Sequence, residues 1–302
     1  MVVAGRSIYA GKRERAHLLK GLLFISPWIV GFSFFVLYPT IYSFVISFFR
    51  YSGIQPPVWL GWQNYIRLFT DPLVGMSVQN TLFYAALAVP IGLIISILLA
   101  LAMHREVKEV SLYRTALYLP SIIPVFALSF IFIVLINPQY GLVNSLLGRF
   151  GVPQMDYLSD PTGAKVVMVV MAQLGAGNAA LIFLAGLNGI PKTLYEAARI
   201  DGSSHLGCFL RITLPLLSPA ILFNLITGVS GGLQVFQQAY IMTAGGPANG
   251  TLFYMYYLYR NAFSYAQLGY ACALAVMLFL FGLVLALLLY WFSQRFVNYD
   301  AS

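Results

Sequence analysis

Six long runs of apolar residues dominate this chain. Each run is continuous and long enough to cross about 30 Å of membrane hydrocarbon as a helix. Because the runs do not alternate between apolar and polar positions, they exclude a transmembrane β-barrel. The pattern predicts an all-α, polytopic membrane protein with six transmembrane helices, at 21–49, 78–103, 112–136, 166–187, 216–240 and 268–292.

Composition and charge agree with a membrane location. Apolar residues make up 60% of the 302 residues and charged residues only 9%, whereas a soluble domain carries about 25% charged residues. The net charge of +8 is unevenly distributed: 12 of the 17 basic residues fall on one side of the predicted membrane and 5 on the other. The positive-inside rule therefore predicts that both termini and the loop between the fourth and fifth spans are cytoplasmic. We interpret the basic excess as a topology signal and not as a nucleic-acid-binding signal.

A short polar segment interrupts the apolar pattern between the fourth and fifth spans. Pro191 suits the start of a helix, and Gly202 can take the left-handed conformation that ends one. Ser203 or Ser204 can cap a second short helix, which Pro215 is expected to end. The first helix would be about 15 Å long, too short to span a bilayer. The segment is therefore predicted to form a helix–turn–helix at the membrane surface.

Within this segment, 191–215, a set of residues stands at a characteristic spacing: Glu196, Ala197, Ala198, Asp201, Gly202, Ile212, Leu214 and Pro215. Together they resemble the EAA loop of ABC importer permeases. The string Ala-Arg-Ile-Asp-Gly, and Leu-Pro-Leu-Leu-Ser-Pro after it, are most similar to the carbohydrate-type permeases, the maltose and glycerol-phosphate group. Further strings that resemble this family occur at 61–65, 113–124, 137–144 and 245–247, so the resemblance covers residues 18–295.

The resemblance implies a permease subunit of an ATP-driven importer for a sugar or an oligosaccharide, in a bacterial or archaeal cytoplasmic (inner) membrane. The implied partners are a second homologous permease, two ATP-binding subunits, an extracytoplasmic solute-binding protein, the sugar and membrane lipid, with no nucleic acid. ATP and Mg²⁺ would bind the ATP-binding subunits, and this chain would bind no cofactor. The expected organisation is a cytoplasmic tail (1–20), a permease domain (21–295) with its coupling EAA loop (191–215), and a cytoplasmic tail (296–302).

The sequence lacks the residues that other transporters and enzymes need. It contains no Gly-x-x-x-x-Gly-Lys-Ser/Thr phosphate-binding loop, so ATP hydrolysis is expected in another subunit. No Asp or Glu falls inside the six predicted spans, although proton-coupled carriers usually place a carboxylate there. A secondary, ion-coupled solute transporter is the alternative hypothesis. The three histidines have no metal-ligand spacing, and we predict no catalytic residue and no metal site.

Polar and glycine residues inside the fourth and fifth spans are the candidates for a substrate path. In the fifth span they recur at spacings of three and four, which predicts a single helix face: Asn224, Thr227, Gly231, Gln234 and Gln238. The predicted path residues are Gln173, Gly175, Asn178, Gly231, Gly232, Gln234 and Gln238. Their amides suit sugar hydroxyl groups, but small residues and amides also join membrane helices to one another, and this alternative stays open.

In similar permeases the equivalents of Gly175 and Asn178 lie around the sugar. Glutamines dominate here where other members carry different polar residues, so no particular sugar is implied.

Overall fold

The chain is a helical membrane domain in a computed structural model that describes residues 12–105 and 109–294. Five helices are long and apolar enough to cross a membrane, and one bent pair of helices supplies a sixth span. The spans are His17–Ile46, Pro72–His104, the pair Ser111–Ile122 and Val125–Leu135, Pro161–Asn188, Ser218–Met242 and Leu268–Ser293. The predicted all-α class is confirmed, and the predicted number of six spans is reached when the bent pair counts as one span. Of the predicted tails, 1–11 and 296–302 lie outside the described residues, and a helix already begins at Lys12.

Shorter helices and one small sheet complete the fold. The α-helices are Lys12–Phe32, Tyr38–Ile46, Gln63–Thr70, Pro72–His104, Val110–Tyr118, Val125–Leu135, Leu142–Arg149, Pro161–Ala172, Ala176–Asn188, Lys192–Ile200, His205–Cys208, Leu214–Leu216, Ser218–Leu233, Gln237–Met242, Tyr254–Tyr259 and Leu268–Ser293. Wider π-helical turns occur at Ser33–Leu37, Phe209–Thr213 and Arg260–Ser264, and tighter 3-10 turns at Leu119–Ile122 and Gln173–Gly175. The strands Phe49–Arg50 and Val58–Trp59 pair antiparallel, with Phe49 opposite Trp59.

The third span is not the single helix, 112–136, that its apolar run predicts. Its two halves meet at an angle of 88°. The bend lies at Ile123, whose extended backbone (φ −69°, ψ 124°) precedes Pro124 at the start of the second half. A proline disfavours helical geometry in the residue before it and donates no backbone hydrogen bond. Both effects end the first half here, so the prediction of one continuous helix was wrong.

The fifth span is interrupted, which corrects the prediction that its polar residues share one helix face. The helix ends at Leu233 and resumes at Gln237. Between them Gln234 has φ −102° and ψ 15°, and Phe236 has φ −145° and ψ −58°. The side chains of Gln234 and Gln238 therefore do not continue the line of Asn224 and Gly231 at the regular 100° per residue of an α-helix.

The span ends form two groups. At the end that we call the loop end, the second and fourth spans meet through a hydrogen bond of 3.1 Å between His104 Nδ1 and Asn188 Oδ1. The opposite, hairpin end carries the strand hairpin Phe49–Trp59 and the helix Gln63–Thr70. Each end has its own apolar core cluster. The cluster at the hairpin end includes Phe253, and the one at the loop end includes Phe183.

The first span stands apart from the others. Only 6% of its most apolar window is buried, compared with 17–44% for the second, fourth, fifth and sixth spans. Large apolar side chains along it are open to the surroundings; Phe24, for example, is 89% exposed. This span therefore presents nearly its whole circumference to lipid or to another protein.

Candidate coupling loop and transport cavity

The loop 191–215 folds as a helix, a glycine turn and a second helix. The first helix is Lys192–Ile200, with Pro191 directly before it in an extended conformation (ψ 129°). Gly202 has φ +77°, the left-handed conformation that its position predicts. Two hydrogen bonds close the turn, from the Gly202 N–H to the Arg199 carbonyl (3.1 Å) and from the Ser203 N–H to the Ala198 carbonyl (2.8 Å). This pair of bonds is the Schellman motif, which satisfies the last carbonyls of a helix.

The second helix begins at a serine cap and runs further than predicted. Ser204 Oγ accepts a hydrogen bond of 3.1 Å from the Gly207 N–H. The apolar helix then extends over His205–Leu216, so the prediction that Pro215 ends it was wrong. A π-helical turn at Phe209–Thr213 precedes the proline, and the Leu214 N–H bonds to the Phe209 carbonyl across it. The wider turn changes the hydrogen-bond register just where Pro215 has no N–H to donate.

The loop is firmly attached to the loop-end core. Tyr195 OH and Thr213 Oγ1 lie 2.9 Å apart and link the two loop helices. Tyr195 and Ile212 also pack against the buried cluster that includes Phe183 and Leu217. The two helices therefore move with the ends of the spans that they connect.

The other face of the loop is exposed. Glu196, Ala197, Asp201 and Gly202 are all exposed. Exposed apolar side chains lie beside them: Leu194, Ile200, Leu206 and Leu210, with Ile200 87% exposed. A contiguous exposed surface of apolar and charged side chains is typical of a protein-binding site.

A cavity of about 210 Å³ lies between the second, fourth and fifth spans. It brings together four of the predicted path residues: Gln173, Gly175, Gly231 and Gly232. Asn224 also lines it, with its Nδ2 donating to the Ala220 carbonyl within its own helix at 2.9 Å. The glycines remove side-chain bulk from the wall, so a ligand can approach the backbone closely.

Gln173 carries the most informative polar group in this cavity. Its Nε2 donates to the Val169 carbonyl at 2.7 Å. Its Oε1 is buried, and no hydrogen-bond donor in the described part of the chain reaches it. Gly92 lies directly opposite, where a β-carbon would be 3.2 Å from this oxygen. An unpaired buried acceptor costs about 1–3 kcal/mol, so a turn of this side chain toward the cavity, where a ligand could donate to the oxygen, would be favoured.

The remaining predicted path residues lie outside this cavity. Asn178 Oδ1 accepts a hydrogen bond of 3.2 Å from Tyr118 OH. Gln234 and Gln238 lie at and after the interruption of the fifth span, and neither lines the cavity. The cavity thus joins only part of the predicted set.

Sequence reasoning missed the second span as a wall of the cavity. Tyr84, Gly92 and Ser96 all line it, and Ser96 Oγ donates to the Ala176 carbonyl of the fourth span at 2.8 Å. The spacing of four between Gly92 and Ser96 places both on one helix face and is a usable signal, because small residues at this spacing allow two membrane helices to approach closely.

Comparison with known proteins identifies the family. The family model of the binding-protein-dependent transport system inner membrane component matches residues 89–298. The chain belongs to this family. It is 38% identical to the probable ABC transporter permease protein YesP of Bacillus subtilis (strain 168), over 99% of each chain. It is 33% identical to the lactose transport system permease protein LacF of Rhizobium radiobacter, over 93% of this chain and 96% of LacF.

A solved structure of the same kind shares the fold. It is a bacterial ABC transporter involved in the import of the acidic polysaccharide alginate, with a TM-score of 0.81 and 25% sequence identity. The match covers 94% of this chain and 98% of that one. As a member of the permease family, the chain is the membrane component of a binding-protein-dependent ABC importer. The comparisons lend no support to the secondary transporter considered from the sequence.

The family to which the chain belongs is a membrane component of transport systems. Among residues 12–105 and 109–294, no group of three His, Cys, Asp or Glu side chains is placed to hold a metal ion. The candidate functional surfaces are the cavity between three spans and the exposed face of the loop 191–215.

Proposed function

We propose that this permease imports a sugar or an oligosaccharide. LacF is named for lactose and the structural relative imports alginate. The observation in this chain that carries the proposal is the buried, unpaired Oε1 of Gln173. A hydroxyl group of a sugar is a donor that suits this acceptor. Gly175 and Gly231, where an added β-carbon would meet nothing within 4 Å, leave room for a sugar ring in the cavity. Gly232 instead packs against Ala85.

A second homologous permease completes the path in this proposal. The cavity of about 210 Å³ is open on one side and is smaller than the 300–1,000 Å³ of most small-molecule sites. A second copy of the fold, facing this cavity, would enclose an oligosaccharide between two similar walls. The exposed circumference of the first span, 6% buried, offers further surface for such a partner.

Two ATP-binding subunits, which hold ATP and Mg²⁺, would supply the energy through the loop 191–215. The proposed contact surface is the exposed face that carries Glu196, Ala197, Asp201 and Gly202, with Ile200 beside them. The less exposed side, which ties the surface to the spans, carries Ala198, Ile212, Leu214 and Pro215.

Closure of the ATPases would draw the loops of two permeases together. The hydrogen bond between Tyr195 and Thr213 would carry this movement to the loop-end core.

The loop end faces the cytoplasm in this proposal, together with both termini. The support is the excess of basic residues, 12 against 5, on that side. The hairpin end then faces outward, where a solute-binding protein would deliver the sugar. The membrane is the cytoplasmic (inner) membrane of a bacterium or archaeon.

Transport by the purified complex in proteoliposomes tests this function. The permease would be co-expressed with its partner permease and ATPases, and uptake of labelled sugar measured with the solute-binding protein outside. We expect uptake to require ATP inside and to persist when ionophores collapse all ion gradients. Uptake driven by an ion gradient without ATP would instead establish a secondary transporter.

A further inference from the structure

A second polar cleft lies at the hairpin end, away from the cavity between the spans. Its volume is about 380 Å³. Its walls come from the strand hairpin, the helix Gln63–Thr70 and the start of the sixth span, and its polar lining includes Arg50, Gln55, Asn64, Arg67 and Gln267. We call it the arginine cleft. None of its lining residues belongs to the fourth or fifth span, so it is separate from the proposed sugar path.

The walls of the arginine cleft are held rigidly by hydrogen bonds. Asn64 Nδ2, which is buried, donates to the carbonyls of Ser47 (2.8 Å) and Phe49 (3.0 Å). The Gly269 N–H donates to the Tyr51 carbonyl at 3.0 Å and joins the sixth span to the hairpin. A β-carbon on Gly269 would collide with the Phe49 carbonyl, so only glycine permits this approach. The cleft is therefore built into the fold and does not depend on a mobile loop.

Neutral groups hold the guanidinium of Arg67. Its Nη1 donates to Gln267 Oε1 at 2.7 Å, and its Cζ lies 4.1 Å from the centre of the Tyr270 ring. Stacking on an aromatic face and a hydrogen bond to an amide fix the orientation of the guanidinium group. Because both partners are neutral, they do not compensate its positive charge. Within the described ranges, neither Arg67 nor Arg50 forms an ion pair.

The nearby carboxylate, Asp71, is occupied elsewhere. Its Oδ1 accepts the Leu73 N–H at 3.0 Å and caps the second span. Its Oδ2 accepts the hydroxyls of Tyr257 and Tyr270. Burial, followed by the hydrogen bond to Asp71, raises the pKa of Tyr257 to about 12. With its acceptors occupied, Asp71 does not pair with Arg67.

Arg67 and the exposed aromatic side chains of its helix lie on different sides of that helix. On the helix Gln63–Thr70, Arg67 lies about 160° from Phe69 and about 140° from the preceding Trp62, at 100° per residue. Trp62 and Phe69 are 67% and 75% exposed, and such aromatic side chains are typical of the membrane–water interface. Because the arginine lies on the opposite side of the helix from this aromatic face, a water-borne partner is favoured over a lipid headgroup.

We propose that the arginine cleft receives an acidic side chain of the solute-binding protein when that protein docks on the permease. Fixed guanidinium groups bind carboxylates through two parallel hydrogen bonds, which give a defined orientation as well as attraction. Arg50 and Arg67 are two of only five basic residues on this side of the membrane. The inference rests on the proposed function, because it requires the hairpin end to face the solute-binding protein.

Binding-protein titration of the purified importer in nanodiscs tests the proposal. The measurement is the concentration of sugar-loaded solute-binding protein that gives half-maximal stimulation of ATP hydrolysis. In the double variant Arg50→Gln/Arg67→Gln we expect this concentration to rise about tenfold at low salt. The difference should shrink as salt is raised, because exposed charges are screened beyond a Debye length of about 8 Å at 0.15 M. Arg149→Gln, which removes an exposed charge outside the cleft, is the matched control and should leave the concentration unchanged.

Several outcomes separate the possibilities. Co-purification of the ATPases with the double variant shows that it has folded and assembled. An unchanged half-maximal concentration in that assembled variant overturns the proposal, as does an equal rise in Arg149→Gln. A defect that depends on the anionic lipid content of the nanodiscs, and not on the binding protein, assigns the cleft to a lipid headgroup and also overturns it. If the binding protein fails to stimulate even the wild-type complex, it is the proposed importer function that fails.

Discussion

The substitution Gly202→Asp tests whether a partner subunit covers the turn of the loop 191–215. Gly202 has φ +77°, and a β-carbon built on it meets nothing within 4 Å. The substitution therefore creates no clash inside this chain. It adds only the strain of a left-handed side-chain residue, about 1–2 kcal/mol and less for Asp and Asn, which a protein stable by about 5–15 kcal/mol tolerates.

A larger effect must come from a partner that covers the turn. If an ATPase surface lies on Gly202, the aspartate places a charge at the interface beside Asp201, which already carries one. A charge without a counter-charge at an interface costs about 3 kcal/mol, a factor of about 100 in affinity. We expect Gly202→Asp to reach the membrane in normal amount, to lose its ATPases during purification, and to abolish ATP-dependent uptake.

Two matched variants separate strain, volume and charge. Gly202→Asn has the shape and left-handed tolerance of Asp without its charge, and Gly202→Ala adds only the β-carbon. We expect ATPase retention to decrease in the order Gly, Ala, Asn, Asp, with the largest step between Asn and Asp. If Gly202→Asp assembles and transports like the wild type, no subunit covers this turn, and the proposed role of the loop is wrong. A defect that is largest in Ala and smaller in Asn and Asp would assign the effect to backbone strain, and a defect of equal size in all three would assign it to the added β-carbon.

Three further predictions address the path and the topology. Gln173→Leu should lower the apparent affinity for sugar up to about tenfold, the value of one hydrogen bond of about 0.5–1.5 kcal/mol, while ATPase retention stays normal; unchanged uptake would remove Gln173 from the path. Asn178→Leu and Gln234→Leu should impair uptake or alter sugar preference without disturbing assembly; if they fail only because the complex dissociates, these amides join helices instead. In a Cys208→Ser background, chosen because Cys208 is buried, an impermeant thiol reagent applied to intact cells should miss Leu206→Cys and should label Asn249→Cys, read out by mass shift; the reverse pattern would invert the membrane orientation.

Local signals in the sequence were enough to predict the turn of the loop. Gly202 follows good helix formers, and Ser204 stands where a cap is needed; the structure places each in that role. Such signals succeed because a helix end depends on the few residues around it. The same is true of the six apolar runs, whose lengths alone predict the spans.

Prolines show where the sequence was insufficient. Pro90 lies inside the uninterrupted helix Pro72–His104, whereas Pro124 accompanies an 88° bend. Pro215 was expected to end a helix, yet it lies within one. A proline always removes one hydrogen bond, but whether the helix bends, widens or continues depends on which neighbours satisfy the freed carbonyl. Those neighbours come from distant parts of the chain.

The cavity could be predicted only in part for a related reason. Periodicity within the fifth span correctly grouped Asn224 with Gly231, but it assumed a regular helix through Gln234. It also treated each span alone, so the contribution of Gly92 and Ser96 was missed. The spacing of Gly92 and Ser96 indicates a helix face that another span can approach closely, but it does not say which span; the bond from Ser96 to the Ala176 carbonyl is fixed only by the folded structure.

The continuation of the helix past Pro215 has a mechanical consequence. The helix His205–Leu216 of the loop leads directly into Ser218–Leu233 of the fifth span, and Leu217 between them is 1% exposed and belongs to the loop-end core. From Leu217 to Gly231, in the wall of the cavity, is 14 residues of helix, about 21 Å at 1.5 Å per residue. Leu217 is a single turn residue between the two helices, and it is tied to both of them: its N–H donates to the Thr213 carbonyl and its carbonyl accepts from the Ile221 N–H, each at 2.9 Å. We therefore expect a movement imposed on the exposed face of the loop to reach the lining of the cavity through this buried one-residue junction.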